Sequence, residues 1–293
     1  MEICNICPRR CGVDRRYAHG YCGEGDRIRI ARAAAHYWEE PCISGTRGSG
    51  AVFFGGCNMG CVFCQNGAIS RGGRGRLYSD EETAAIFLRL EGEGVHNLNL
   101  VTPTHFTPHI KRALGIAHGS GFGLPVVWNS GGYECAETVK GLSGLVDVYM
   151  PDFKYMSGEL GRRYSNAADY AQVAKAALDE MVMQRGEARF EDGIMTRGVI
   201  VRHLVLPDCA EDSRAVLSFL HRRYGNAIYI SLMKQYTPMK AGLPDGLSRR
   251  LDDREYDALS AYALRLGIEQ GFFQEGDPVG ESFIPEFDLI GEE

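Results

Sequence analysis

From Ala51 onward, short apolar runs alternate with amphipathic stretches along the chain. Apolar runs bounded by turn residues read as strands, and they fall at 51–56, 97–102, 125–129, 146–152, 198–206 and 227–233. The stretches between them read as helices. One opens at Ser79-Asp80-Glu81-Glu82 with a capping-box pattern, and others cover about 108–120, 134–143, 167–185, 213–224 and 252–268. Six strands, each followed by a helix, predict an α/β fold: a parallel sheet with right-handed crossovers, curled into an open or partial (β/α)6 barrel.

In such barrels the working groups sit at the C-terminal strand ends. Here those ends carry Cys57, then Thr102-Pro103-Thr104-His105, then Asn129-Ser130-Gly131-Gly132, then Asp152 and Lys154, and finally Lys234-Gln235-Tyr236. The fifth strand holds Arg202-His203 within it. Residues 1–50 show little periodicity and read as a short Cys- and Arg-rich leader. Residues 51–240 make the barrel, and 241–293 are expected to be a helix and tail packed on it.

Composition narrows the function. A hydrophobic fraction of 44% over 293 residues suffices for a large core. A net charge of −6 without a basic tract argues against nucleic acid as partner. No apolar run reaches membrane-spanning length, and Met1-Glu2-Ile3-Cys4 does not begin a signal peptide, so a cytoplasmic location is expected. In a reducing compartment, ten cysteines are metal ligands or free thiols rather than disulfides. Eight of the ten fall in the first 64 residues, a crowding that core packing does not produce.

Cys57, Cys61 and Cys64 follow the first barrel strand with the spacing C-x3-C-x2-C. Three thiolates are one fewer than a cubane iron–sulfur cluster normally takes, which leaves one iron open to a small ligand. A zinc site would need a fourth ligand, from Cys42 or a histidine. Cys4, Cys7, Cys11 and Cys22 offer four thiolates, a closed set for either structural zinc or a second iron–sulfur cluster. Cys135 and Cys209 read as small buried hydrophobes. His105, His109 and His203 are titratable candidates near strand ends.

The C-x3-C-x2-C spacing after the first strand, with Phe63 before its last cysteine, resembles the cluster motif of radical S-adenosylmethionine (SAM) enzymes. From about Ala51 to Met233 the chain is similar to the activating enzymes of glycyl-radical enzymes, such as the pyruvate formate-lyase activator. Asp147-Val148-Tyr149-Met150-Pro151-Asp152-Phe153-Lys154 and Val201-Arg202-His203-Leu204-Val205-Leu206-Pro207 look like that family's fourth and fifth strands. His36-Tyr37-Trp38-Glu39-Glu40-Pro41 and the Phe53-Phe54-Gly55-Gly56-Cys57 run resemble a subgroup of activator-like proteins.

The resemblance implies that Cys57, Cys61 and Cys64 ligate a [4Fe–4S] cluster whose open iron binds the amino and carboxylate groups of SAM. Phe63 then lies near the adenine, Asn129 takes the place of a ribose-binding aspartate, and Asp152 and Lys154 line the SAM or substrate pocket. His203 and Tyr236 join this cofactor-binding set. The family's Gly-Gly-Glu element is absent, and Thr102 and Thr104 stand there, with hydroxyls able to accept the amino group's hydrogen bonds. The implied reaction is reductive cleavage of SAM to a 5′-deoxyadenosyl radical, with a flavodoxin- or ferredoxin-type electron donor. The expected hydrogen donor is a glycine of a partner glycyl-radical enzyme. A different peptide or a metabolite is the alternative, and a zinc-binding regulatory module fits the acidic charge and β/α alternation poorly.

Overall fold

The computed structural model describes residues 3–71 and 73–274, so the end of the expected 241–293 segment lies outside the described residues. The chain begins with β1 (Ile28–His36), α1 (Pro41–Ser44) and β2 (Ser49–Phe54). There follow α2 (Gly67–Ser70), β3 (Arg76–Tyr78), α3 (Asp80–Gly92), β4 (Leu98–Val101), α4 (Thr107–Gly119) and β5 (Val126–Ser130). Next come α5 (Ala136–Lys140), β6 (Val148–Pro151), α6 (Gly158–Ser165), α7 (Tyr170–Arg185) and β7 (Arg189–Glu191). The last elements are β8 (Ile194–Leu204), α8 (Ala210–Tyr224), β9 (Tyr229–Met233), α9 (Asp253–Leu266) and β10 (Gly271–Phe273).

The strands are ordered β10-β9-β8-β6-β5-β4-β2-β1-β3, with β7 paired to β8 off that path. Between β2 and β9 lie the six expected strands, every neighbouring pair parallel. This is the expected partial barrel. Four strands were not anticipated: β10 extends the parallel run, whereas β1, β3 and β7 pair antiparallel. β1 lies in the stretch read as an aperiodic leader. Its Ala33-Ala34-Ala35 run carries little intrinsic strand preference, and its pairing with β2 supplies what propensity does not.

Strand alternation sorts the two faces. Leu98 and Leu100 of β4, Trp128 of β5 and Val199 and Val201 of β8 join the helices in the main core. Val127, Val148, Met150 and Ile200 point the other way, into the lumen, where they pack on Cys42 and Ile43 of α1. α1 therefore floors the barrel at the N-terminal strand ends. Asn97 pins it there, donating from Nδ2 to the Ile43 carbonyl (2.8 Å) and accepting at Oδ1 from Ser49 (2.6 Å). Nearer the C-terminal ends the lumen turns polar, with Asn99, Asn129 and Arg202 on successive inward positions.

The helices follow their local signals. Ser79 caps α3, accepting from the Glu82 amide (3.1 Å) while its own amide donates to the Glu82 carboxylate (2.6 Å). The helix expected over 167–185 begins at Tyr170, after a break where Asn166 turns left-handed (φ 50°) and closes α6. Among the described residues no helix is long and apolar enough to cross a membrane.

Candidate active site

The loop after β2 brings its three thiols to one cavity at the C-terminal strand ends, with Phe63, Thr102, Asn129, Asp152 and Lys154 lining the same space. Gly56 starts this loop at φ 76°, a backbone form glycine adopts freely. Cys57 then donates its amide to the Cys22 carbonyl (3.3 Å), and Val62 donates to the Tyr164 carbonyl (2.8 Å). Ser165, at the end of α6, donates its hydroxyl to Cys61 Sγ (2.9 Å). Burial raises the Cys61 thiol, with Lys154 pulling the other way and Cys57 adding to the rise. Burial, reinforced by Cys61 and Cys57, pushes Cys64 up to about 12. These groups release protons when they bind metal.

Lys154 is ion-paired to Asp152 and lies within electrostatic reach of Cys61. Burial disfavours its charge, but Asp152 and Cys61 more than restore it. Across the lumen, Arg202 pairs with both Glu39 and Glu40, two leader carboxylates that are almost fully buried. Burial opposes ionisation of Glu40, yet Arg202 holds its carboxyl below the ordinary range. Glu39 also accepts from Asn99 (2.9 Å) and Asn129 (3.4 Å). Thr102 has a left-handed backbone (φ 60°), its amide donating to the Asn129 carbonyl (2.8 Å). A β-branched residue seldom adopts that conformation, and such strain concentrates where a site needs it.

Three residues expected here face elsewhere. His203 is turned to the helix side, with Nδ1 on the Phe153 carbonyl (2.7 Å) and Nε2 on Ser213 (2.9 Å). Thr104 donates to the buried Glu134 (3.0 Å), beside donations from Trp128 (2.8 Å) and Ser130 (2.7 Å). Tyr236 donates to the Leu247 carbonyl (2.5 Å) and touches the site only by packing edge-on against Phe63.

The donor set suits an iron–sulfur cluster. Among the described residues three thiols, and no fourth, line the cavity, and Cys42 is spent in the apolar floor. Among the described residues no three His, Cys, Asp or Glu side chains are posed around a single ion. Cubane thiolates bind separate irons and stand further apart than the ligands of one zinc. The sequence model of the radical SAM superfamily matches residues 51–182, which run from β2 and the cysteine loop through β6 into α7. The chain carries a radical SAM superfamily domain over residues 51–182.

It is 32% identical over 283 residues to an uncharacterized protein of Methanocaldococcus jannaschii, covering 92% of this chain and 76% of that one. Among solved structures it resembles Streptococcus suis SuiB bound to precursor peptide SuiA (TM-score 0.51, 11% identity, 75% of this chain, 46% of that one). It also resembles HydG, a maturase of the [FeFe]-hydrogenase (TM-score 0.50, 14% identity, 72% and 48%). These likenesses are of fold, and the chain spans about half the length of those two proteins. The radical SAM domain implies a [4Fe–4S] cluster and SAM.

The residues that sequence reasoning left out of the cofactor-binding set are Arg202, Glu39 and Ser165, although Arg202 and Glu39 stand in runs it singled out. Arg202 was legible from strand period: with Val199 and Val201 on the core side, Ile200 and Arg202 must face the lumen. Ser165 lies 104 residues from the thiol it contacts, and no local signal announces it.

Proposed function

We propose that this radical SAM enzyme abstracts a hydrogen atom from a glycine of a partner glycyl-radical enzyme. In this reading Cys57, Cys61 and Cys64 hold the cluster, which when bound supplies one electron for reductive cleavage of SAM. Phe63 lies against the adenine, Asn129 takes the ribose, and Asp152 with Lys154 faces the methionine end or the incoming polypeptide. Thr102 presents its hydroxyl to the SAM amino group. A flavodoxin- or ferredoxin-type protein delivers the electron. The observation that carries the reading is that Asp152 and Lys154, the activator-like pair, line one cavity with all three thiols. Trp38, half-exposed at the cavity, gives it an apolar rim suited to polypeptide.

The substitution of Thr102 and Thr104 for Gly-Gly-Glu favours a second reading, in which the chemistry is kept and the hydrogen donor is another peptide or a metabolite. The deciding experiment uses anaerobically reconstituted protein, dithionite and SAM. Production of 5′-deoxyadenosine, lost in Cys61→Ala, is expected; its absence from the parent protein sinks both readings. Addition of a candidate glycyl-radical enzyme should then produce a glycine-centred EPR doublet. Cleavage of SAM without that doublet in any such partner selects the second reading.

A further inference from the structure

The leader cysteines gather behind the cluster loop. The backbone bends tightly there: Cys4 donates to Val13 (2.9 Å), Gly12 to Cys4 (3.0 Å) and Arg10 to Cys7 (3.0 Å). A Cβ on Gly20 would lie 3.5 Å from Cys11 Sγ and 3.6 Å from Cys22 Sγ. Cys7 lies within electrostatic reach of Cys4, Cys11 and Cys22, and the Tyr21 amide donates to Cys11 Sγ (3.2 Å). Four thiols thus form one group.

Beside them Arg15 is 8% exposed and within electrostatic reach of Cys22. One of its amino groups donates to the His105 carbonyl and the guanidinium lies over the Phe106 ring (5.4 Å), while Nε and the other amino group find no hydrogen-bond partner among the described residues. A buried guanidinium with unpaired donors is costly. It calls for an anion, and a metal centre held by four thiolates carries net negative charge.

The group is bonded directly to the active-site loop. The Cys57 amide donates to the carbonyl of Cys22, linking a leader thiol residue to a barrel thiol residue through one hydrogen bond (3.3 Å). Gly56 permits this approach, since a Cβ there would lie 2.6 Å from that same carbonyl. Arg9, between Cys7 and Cys11, donates to the carbonyls of Asn58 (2.7 Å) and Ser165 (3.3 Å), and its guanidinium lies over Tyr21 and Tyr133. Tyr21 donates to the Met59 carbonyl (3.1 Å). A zinc site would hold the leader equally well, but zinc has no redox chemistry and its thiolates crowd one ion.

We propose that Cys4, Cys7, Cys11 and Cys22 hold a second [4Fe–4S] cluster, charge-paired with Arg15, that relays electrons to the cluster at Cys57, Cys61 and Cys64. The relay rests on the proposed barrel cluster. A reduced flavodoxin- or ferredoxin-type protein gives one electron to the leader cluster. That electron then passes to the barrel cluster, the leader being oxidised and the barrel reduced by one, with no bond or proton exchanged.

The first test is the triple variant Cys57→Ala/Cys61→Ala/Cys64→Ala, reconstituted anaerobically. It should retain roughly four iron and four sulfide per chain, and its reduced EPR signal should not respond to SAM. Zinc in place of iron overturns the proposal. In Arg15→Gln, the leader cluster's potential should become more negative; an unmoved potential removes Arg15 as charge partner. In Cys7→Ala, the ratio of flavodoxin-driven to dithionite-driven SAM cleavage should fall by about tenfold or more if the leader is the route. An unchanged ratio overturns the relay. If the parent protein cleaves no SAM with dithionite, the proposed function fails, while the iron count of the triple variant still decides the leader cluster.

Discussion

At Cys61 a single hydroxyl sets the surroundings of one sulfur. Ser165 donates to Cys61 Sγ at 2.9 Å and also contacts the Tyr155 hydroxyl (2.9 Å). Hydrogen bonds to cluster sulfurs raise the reduction potential by stabilising the more negative state. Ser165→Ala should therefore leave the iron content of the barrel site intact and lower its potential. A redox titration with EPR readout measures this, and an unchanged potential would show that the hydroxyl serves Tyr155 alone. Sequence reasoning had no access to Ser165. Sequence reasoning did reach the three cysteines and Phe63, because their chemistry is compressed into eight consecutive positions.

At the scale of elements, legibility followed periodicity. The six barrel strands and the capping box of α3 were readable because each rests on a local pattern. Tyr236 and Thr104 were assigned to the site because they end strands, yet each turns away to satisfy a buried partner. His203 is set one position off the lumen face and fastens β8 to the loop after β6 and to α8. The Phe153 carbonyl can only accept, so Nδ1 carries the hydrogen, and when the ring is neutral Nε2 accepts from Ser213. Burial lowers this histidine to about 4, outweighing the Phe153 hydrogen bond.

Its ordinary value is near 6.5. As pH falls from about 6.5 toward 4, the unfolded chain takes up a proton that the folded chain refuses. Stability contributed here is thus complete above that window and lost going down through it. Between pH 7.5 and 5 the loss should be about 2 kcal/mol for this one group. Denaturant melts of His203→Gln should show a correspondingly flatter pH dependence. An identical slope in both proteins would mean that the ring is protonated when folded.

Over the whole molecule, the leader and barrel are fastened through buried charge. Glu39 and Glu40 follow β1, and both pair with Arg202, more than 160 positions later. Removing the guanidinium strands two carboxylates away from water. Arg202→Gln should cost about 3–5 kcal/mol, read as a lower denaturation midpoint. A loss below about 1 kcal/mol would show that water reaches the pair. This junction was invisible in sequence because each partner lies in a segment whose own pattern says nothing of the other.

The floor made by α1 has a consequence for traffic. Cys42 and Ile43, packed between Val127, Val148, Met150 and Ile200, fill the N-terminal end of the lumen among the described residues. In the proposed reaction, SAM and whatever yields the hydrogen atom then share the doorway at the C-terminal strand ends, and the deeper guest has to arrive first. If the hydrogen donor is the polypeptide proposed above, it acts as a stopper in that doorway: spent nucleoside and methionine stay behind it until it withdraws. Turnover in a chamber with one door is a queue.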